Sequence, residues 1–428
     1  MQLTPFSNIT AALAVATVPL VQAGGDVAGL EPEWNIDAAF LYYSEGDNRV
    51  DAYEGVLKAT RSNADDQILG VTGTLDVLTG ASPNGAVPQN QLQTFTRPSG
   101  KGEYQIQPGV LPLDDSFKDT RAQLNLQWTS PLNRAMGYTS GLHISKEYDY
   151  LSLGLNGGLS RDFNQKNTTL ALSGAIFFDT IEPEGGTPVG LSTMAIRDDF
   201  PSEEAFQQAF NATRSGSDDT KTTWDLRLGV TQVLTRRWIM QTNISYARVD
   251  GYQNDFLKLL SVVDATGTAV QYRYEQRPDS RNKMAFFWQS KYHFGPIADI
   301  SYRYMSDDWE IDSHTLDGRL RFEFGRHSLE PHLRYYTQSA AEFYQPFLIT
   351  GTALPHYASA DYRIGELDTY TVGIKYDYRL NDNQRMAVRL SWYHQAPVDD
   401  DAPKPGQLQQ QELYPTLDTL MLQTSYHF

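Results

Sequence analysis

The chain has 428 residues, 35 Lys and Arg, 52 Asp and Glu, a formal net charge of -17 and no Cys. The acidic balance argues against a nucleic-acid partner, because neutralising phosphates requires clustered Lys and Arg, and the lack of Cys excludes disulfides, thiolate catalysis and Cys-ligated zinc. Beyond the N-terminus no window approaches about 18 uncharged apolar residues, which excludes a helical membrane protein.

The N-terminal residues predict export. An apolar run ends in Val21-Gln22-Ala23, a small-residue pattern typical of signal-peptidase cleavage after Ala23. The first basic residue is Arg49, so no positive charge precedes the apolar run. Either the natural start lies upstream of Met1 or the signal is atypical. We predict that residues 1–23 are a signal peptide and that 24–428 form one exported domain.

Alternation of apolar and polar residues dominates the rest of the chain. Between Tyr150 and Phe163, leucines occupy the odd positions 151, 153, 155 and 159, and Ser, Gly and Asn lie between them. A period of two predicts a β-strand with one apolar and one polar face. The predicted strands are 34–43, 47–61, 66–78, 117–129, 132–147, 149–162, 166–179, 220–234, 236–250, 281–293, 296–307, 310–324, 327–339, 366–379, 383–395 and 416–428. The count is therefore about sixteen, and an extended run at 268–277 leaves eighteen as an alternative.

The connections between these strands alternate in length. Every second one is short, and the five long ones, 79–116, 180–219, 251–280, 340–365 and 396–415, all fall in the other class. Short periplasmic turns and long extracellular loops are typical of outer-membrane barrels. A soluble β-sandwich is the alternative, but its strands usually have roughly 5–6 residues. We predict an all-β, transmembrane, antiparallel up-and-down barrel in the cell outer membrane.

The C-terminus fits this prediction. Tyr426 and Phe428 end the last strand on its apolar face, and we expect them to form a signal for the barrel assembly machinery. The first and last strands are expected to pair, because lipid cannot satisfy the hydrogen bonds of an open sheet edge. The expected surroundings are outer-membrane lipid and lipopolysaccharide.

The polar strand faces are expected to line a lumen. Charges cluster there in the C-terminal half, at Asp225, Arg227, Arg303, Asp317, Arg319, Arg321, Glu323, Arg334, Lys375, Asp377 and Arg389. Two interpretations stay open: a charged constriction that selects solutes, or a salt-bridged wall that stiffens a water-filled barrel. Strands 149–162 and 166–179 carry small residues on the same face, which leaves room for an inward-folded loop.

Acidic residues gather at the predicted extracellular rim: Glu45, Asp47, Asp76, Glu147 and Asp149. Converging carboxylates are ligands for a hard cation such as calcium, although rim carboxylates are more often solvated. No cofactor is expected, since nucleotide-binding and zinc-spaced motifs are absent from the sequence.

Two further patterns have competing interpretations. His143 and Ser145 have the spacing of a hydrolase pair, but Leu142 and Ile144 define the lipid face, so both point into the lumen and enzymatic activity is not expected. In loop 180–219, Ser202 is a candidate N-cap for a short helix with Phe206 and Phe210 one turn apart. That helix is expected to pack on the barrel mouth or on its own loop.

Four stretches resemble a family of Gram-negative outer-membrane proteins, the domain-of-unknown-function family numbered 3570. They are DVLTGASPNG (76–85), SKEYDYLSLGLNGGLSRDFNQKNTTL (145–170), YRYMSDDWEIDSHTL (302–316) and PHLRYYTQSAAEFY (331–344). The resemblance implies an outer-membrane barrel without an assigned activity. It also implies gene neighbours that are candidate partners: a thioredoxin-like periplasmic protein, a small lipoprotein and a flavin-transferring protein.

Three functions are therefore considered. The first is a channel or export conduit for a small solute or peptide product. The alternative is a loop-plugged scaffold that docks periplasmic redox or lipoprotein partners. A hydrolase in the barrel wall is the third and is disfavoured, because it would need a lipid-facing Ser or Asp near the outer rim, which the strand pattern does not supply.

Overall fold

The computed structural model describes residues 34–47, 49–115, 118–398 and 403–428. The predicted signal peptide, residues 1–23, lies outside this part of the chain. Sixteen strands form a closed barrel in which each strand pairs antiparallel with the next one in the sequence. They are β1 Trp34–Glu45, β2 Val50–Ser62, β3 Ile68–Gly80, β4 Lys118–Asn133, β5 Met136–Lys146, β6 Tyr150–Phe163, β7 Thr168–Ile181, β8 Asp219–Thr235, β9 Trp238–Gly251, β10 Ser280–His293, β11 Ile297–Asp307, β12 Asp312–Phe324, β13 His327–Gln338, β14 Leu367–Arg379, β15 Arg385–Pro397 and β16 Leu417–His427.

Each predicted strand has its counterpart in this barrel, and the fold-class prediction is confirmed. The largest shifts are at the end of β4, which continues to Asn133 although the sequence predicted a turn from Ser130 onward, and at the start of β5, which begins at Met136 although 132 was predicted. Pro131 is tolerated in β4 because it lies beside a register shift at the strand end, where the ladder does not need its N–H. The extra run at 268–277 forms a strand, Ala269–Tyr274, outside the barrel. The barrel count is therefore sixteen and the alternative of eighteen is wrong.

The barrel closes through its two terminal strands, as predicted. β1 pairs with β16 from Asp37 opposite His427 to Glu45 opposite Thr419. The N–H of Phe428 also donates to the carbonyl of Ile36 at 2.8 Å. Closure removes the unpaired edge that an open sheet would present to lipid.

The outer surface of the barrel is apolar. On β6 the side chains of Leu153, Leu155 and Leu159 are 45%, 53% and 51% exposed, while the residues between them face inward. Other strands repeat this pattern, for example with Leu316 on β12 and Leu422 on β16. An apolar surface this extensive is the outer face of a membrane barrel. In the part of the chain described here, none of the helices has the length and apolar character to cross a membrane.

The five long loops leave the barrel at one end and fold together. We call their described residues, 81–115, 182–218, 252–279, 339–366 and 403–416, the loop cap. It contains helix α1, Glu203–Ala212, and 3-10 helices at Arg197–Asp199, Tyr362–Ile364 and Gly406–Gln410. Its strands are Ser82–Pro83, Gln93–Thr96, Glu103–Ile106, Leu113–Asp114, Thr187–Pro188, Arg214–Gly216, Leu259–Val263, Ala269–Tyr274 and Leu348–Ile349.

Candidate functional site

The inner face of the barrel carries the predicted lumen charges. All eleven lie on the strand face opposite to the outward apolar residues, as Asp225 and Arg227 lie opposite to the exposed Trp224, Leu226 and Leu228 on β8. They come from β8 and β11 to β15, which places them on one side of the lumen. Lys283 on β10 lies on the same face and was not among the predicted residues, although the alternation along 281–293 could have identified it.

Most of these charges are paired along the wall. Arg319 lies 3.2 Å from Asp317, and Arg321 lies 3.2 Å from Glu323. On β14, Lys375 lies 2.9 Å from Asp377, and Arg389 on β15 lies 3.4 Å from Glu330 on β13. His332 also contacts the Asp317 carboxylate at 2.7 Å. For these residues the arrangement matches the interpretation as a salt-bridged wall.

Three further arginines, Arg227, Arg303 and Arg334, lie near one another, and we call them the arginine belt. Asp225 acts on Arg227, and Asp317 lies opposite Arg334 on the neighbouring strand. The charges of Arg227 and Arg334 both act on Arg303, so the three side chains share one region of the lumen. Among the described residues, no salt bridge within 4.0 Å joins Arg303 or Arg334 to a carboxylate. Arg334 remains exposed although it points inward, opposite in direction to Leu333. The lumen therefore has open space beside this residue.

The wall formed by β6 and β7 is lined with small residues, including Gly154, Gly158 and Ser173. Part of the space above them is filled by the wall itself, because a Cβ on Gly154 would lie 2.5 Å from the ring of Phe177 on β7. His143 packs edge-on against the same ring at 5.5 Å. β6 and β14 are eight strands apart in a sixteen-stranded barrel. The small-residue wall therefore faces the charged wall across the lumen.

The loop cap crosses the mouth of the barrel. The loop 252–279 leaves β9, yet its Leu257 packs against Val50 and Leu78 at the ends of β2 and β3. β9 and β2 are seven strands apart around the wall, so this contact lies almost diametrically across the opening. This loop therefore lies across the mouth, and the inward-folded loop beside the small-residue wall stays a prediction.

Loop 252–279 is also the centre of the cap. The N–H of Leu259 donates to Asn84 at 2.7 Å, and Tyr272 accepts from Met194 at 2.8 Å. The same loop bonds to the last two loops, because Val263 accepts from Thr350 at 2.8 Å and Thr266 accepts from Gln407 at 2.9 Å. All four other long loops are therefore tied to it. Buried apolar residues fill the spaces between them, including Phe95, Leu260, Val263 and Leu408.

A buried ion network lies inside this cap. Arg277 binds Glu275 at 2.7 Å and Asp361 at 2.7 Å, and Arg363 binds Asp361 and Asp255. Burial alone would raise the pKa of Asp361, but the charges of Arg363, Arg277 and Lys258 hold it well below its usual value. Burial raises the pKa of Glu275 despite the nearby Arg277. The network joins loop 252–279 to loop 339–366.

Lys258 extends this network to a third loop. Its ammonium group is buried and donates to the carbonyl of Pro83, and burial lowers the pKa of this lysine. Tyr362, beside the network, accepts from Arg49 at 3.4 Å, and Arg49 in turn pairs with Glu45 at 3.2 Å. The cap is thus fixed to the β1–β2 turn as well.

Helix α1 occupies the cap and does not fill the lumen. The hydroxyl of Ser202 accepts from the N–H of Ala205 at 3.2 Å, which confirms the predicted N-cap. Phe206 and Phe210 are buried with Ala195 of the same loop, and the ring of Phe210 lies against Gly100 of the first long loop. The Phe pair therefore serves packing between loops.

The predicted rim acids separate into two groups. Glu45 and Asp76 each lie against an arginine, Arg49 and Arg121 respectively, and Asp47 is exposed. Glu147 and Asp149 instead meet Asp119, which the sequence analysis missed, with candidate ligand atoms within 4.8 Å of one another. Burial and the neighbouring Asp119 raise the pKa of Glu147 to about 8. Glu147 therefore holds its proton more tightly than an ordinary glutamate, and its carboxyl group is hydrogen-bonded to Asp119.

His143 and Ser145 both point into the lumen, as predicted. The Nδ1 of His143 lies 2.7 Å from Oδ1 of Asn125 on β4. At the other end of the barrel, the rings of Tyr426 and Phe428 pack edge-on at 4.5 Å. Their recognition by the assembly machinery stays a prediction.

A closed sixteen-stranded barrel with an apolar outer face, a charged lumen and long loops at one end defines a membrane β-barrel of the outer-membrane type. The family model described as Protein of unknown function (DUF3570) matches residues 10–428, so the chain belongs to this family. The resemblance stated from the four sequence stretches is thereby confirmed. A comparison with curated proteins finds no significant match.

Solved structures of outer-membrane proteins match this chain at low sequence identity and low TM-score. The outer membrane protein opdK from Pseudomonas aeruginosa is 9% identical over 93% of this chain and 99% of its own, with a TM-score of 0.39. OccK2 (OpdF) from the same organism, solved with glucuronate, is 10% identical over 93% and 98%, with a TM-score of 0.41. The siderophore receptor PirA from Acinetobacter baumannii is 6% identical over 86% and 53%, with a TM-score of 0.41. This chain thus spans about half the length of that receptor, and the similarities concern the fold alone.

Proposed function

We propose that this protein is an outer-membrane channel, or export conduit, for a small solute or a peptide product, and that the loop cap is its gate. The observation that carries the proposal is a solvent-accessible, charged lumen beneath a cap that crosses the mouth. A barrel of this strand number is wide enough to leave an aqueous passage. The exposure of the inward-pointing Arg334 supports such a passage.

The construction of the cap supports gating. Across the mouth it contacts the barrel through side chains, such as Leu257 with Val50 and Leu78. Its backbone hydrogen bonds to the strand ends, such as Tyr252 to Thr220 at 2.9 Å, lie where the loops leave the strands, and the strand ladder does not depend on these contacts. The cap can therefore be displaced without breaking a hydrogen bond between barrel strands. Rearrangement of a packed loop assembly is a common way of opening and closing a passage.

A reversible tether tests this proposal. The chain has no Cys, so Leu257→Cys with Leu78→Cys introduces the two thiols without competitors. A reducible bifunctional methanethiosulfonate is added, and complete reaction is verified by titrating free thiols. In planar bilayers we expect single-channel current from the untethered protein, its loss on tethering and its return after reduction. Leu257→Cys alone, treated identically, is the matched control.

The scaffold alternative is favoured by one observation, the extensive burial inside the cap, which would suit a permanently plugged barrel. Its partners would be a small lipoprotein or a thioredoxin-like periplasmic protein. A folded, heat-modifiable protein that is silent with the tether both absent and present would refute the channel and favour the scaffold. Current that persists with a complete tether would refute the gate alone.

A further inference from the structure

The arginine belt concentrates positive charge in one region of the lumen. Asp225 is the carboxylate whose charge acts on Arg227, and Lys283 acts on the same carboxylate. Asp307 also acts on Lys283, and Asp317 is the cross-strand partner of Arg334. Arg303 is the belt cation whose charged neighbours in this region are two other arginines, Arg227 and Arg334. The chain as a whole carries -17. The belt is therefore a local concentration of positive charge inside an acidic protein.

The belt is also chemically suited to a specific type of ligand. A guanidinium group presents a planar fork of N–H donors that matches the oxygens of a carboxylate or a phosphate. Hydroxyl groups lie beside it: Tyr336 is opposite Thr315, which is opposite Arg303, and Tyr393 is opposite Thr371, which is opposite Arg334. The site thus combines charged forks with aromatic hydroxyls.

Other arginines of the same wall do form ion pairs, so the lack of a close carboxylate is a feature of particular positions. Arg319 and Arg321 sit two residues from acids that they contact at 3.2 Å, so their charge is used within the wall. Arg303 is partly buried and has no such partner among the described residues, so it gains more from an incoming anion, because water screens its charge less than it would at the surface. Wall stiffening does not account for Arg303, and Arg334 adds a second guanidinium group that is open to the lumen.

We propose that the arginine belt is a binding site for the anionic oxygen group of the transported solute, a carboxylate or a phosphate. This inference rests on the proposed channel function, since it names the chemical class of solute that passes through the lumen. An anion that enters the barrel is held at the belt by guanidinium forks. These contacts are noncovalent, so the anion can dissociate from the belt and continue along the lumen.

Calorimetric titration of the purified barrel tests the site without requiring an open cap. The probes are citrate, which carries carboxylates, and inorganic pyrophosphate, which carries phosphates, at fixed low ionic strength. Arg303→Gln with Arg334→Gln removes two belt charges, and the matched control, Arg319→Gln with Arg321→Gln, removes two paired charges from the same wall. We expect the belt variant to weaken binding by about tenfold or more and the control by less than about threefold. Heat-modifiable mobility verifies that each variant is folded.

The outcomes separate the two proposals. Belt-dependent binding of citrate alone identifies a carboxylate solute, and belt-dependent binding of pyrophosphate alone identifies a phosphate. If both variants lose affinity equally, or if neither probe binds the wild-type protein, the belt is not a binding site. Belt-dependent binding in a protein that never conducts would retain the site and refute the channel. Conduction without belt-dependent binding would retain the channel and refute the binding site.

Discussion

Removing the charge of Asp361 is expected to release the loop cap from the barrel mouth. This carboxylate is 1% exposed, and it accepts from Arg277 at 2.7 Å and from Nε of Arg363 at 2.8 Å. Asp361→Asn retains the size of the side chain but removes its negative charge, so Arg277 and Arg363 lose the carboxylate that they share. Removing one partner of a buried ion pair destabilises the structure that contains it by about 3–5 kcal/mol. Since about 1.4 kcal/mol corresponds to a factor of ten, the ratio of open to closed cap should rise by roughly a hundredfold to a few thousandfold.

The effect is expected to remain in the cap, because Asp361 lies outside the barrel strands. Hydrogen exchange measured by mass spectrometry should show faster exchange in residues 252–279 and 339–366, with strands such as β12 unchanged. In bilayers the same variant should have a higher open probability. The matched control is Glu366→Gln, which removes an exposed charge from the same loop. If Asp361→Asn exchanges and conducts like this control, the buried ion network does not hold the cap closed.

Three further predictions concern positions elsewhere. The raised pKa of Glu147 means that the folded state binds this proton more tightly than the unfolded state. The stability that it contributes is full below about pH 4.5 and is lost as the pH rises through about 8. The thermal unfolding temperature of the wild-type protein should therefore fall over this range. The unfolding temperature of Glu147→Gln should change less with pH. Phe210→Ala should destabilise the packing of α1 by about 3–5 kcal/mol, since the ring is 2% exposed. Faster hydrogen exchange confined to residues 203–212 and neighbouring cap segments would verify this, and unchanged exchange would contradict it. Gly154→Ala should reduce the yield of folded, heat-modifiable protein, because its Cβ would meet the ring of Phe177 at 2.5 Å. The control Gly73→Ala, whose Cβ would have nothing within 4 Å, should fold normally. Equal yields of the two variants would refute the steric argument.

The strands and the barrel could be predicted from the sequence because they depend on local rules. Side-chain alternation along a strand is a property of neighbouring residues, and it located β6 from its leucines alone. The lengths of the connections then identified the two ends of the barrel. The requirement that lipid leaves no open edge determined the pairing of β1 with β16. Inward placement of the lumen charges followed from the same alternation.

The loop cap and the belt were decided by tertiary structure. Leu257 meets Val50, and Arg363 meets Asp255, across long stretches of chain, and irregular loops have no period from which such contacts could be inferred. The alternation showed that Arg303 and Arg319 face the lumen, but not that Arg319 has a carboxylate at 3.2 Å while Arg303 lies beside two other arginines. That difference depends on strand register and on which side chains converge in three dimensions. The sequence by itself thus determined a membrane barrel with a charged interior, and only folding decided which of those charges lie close enough to pair with one another.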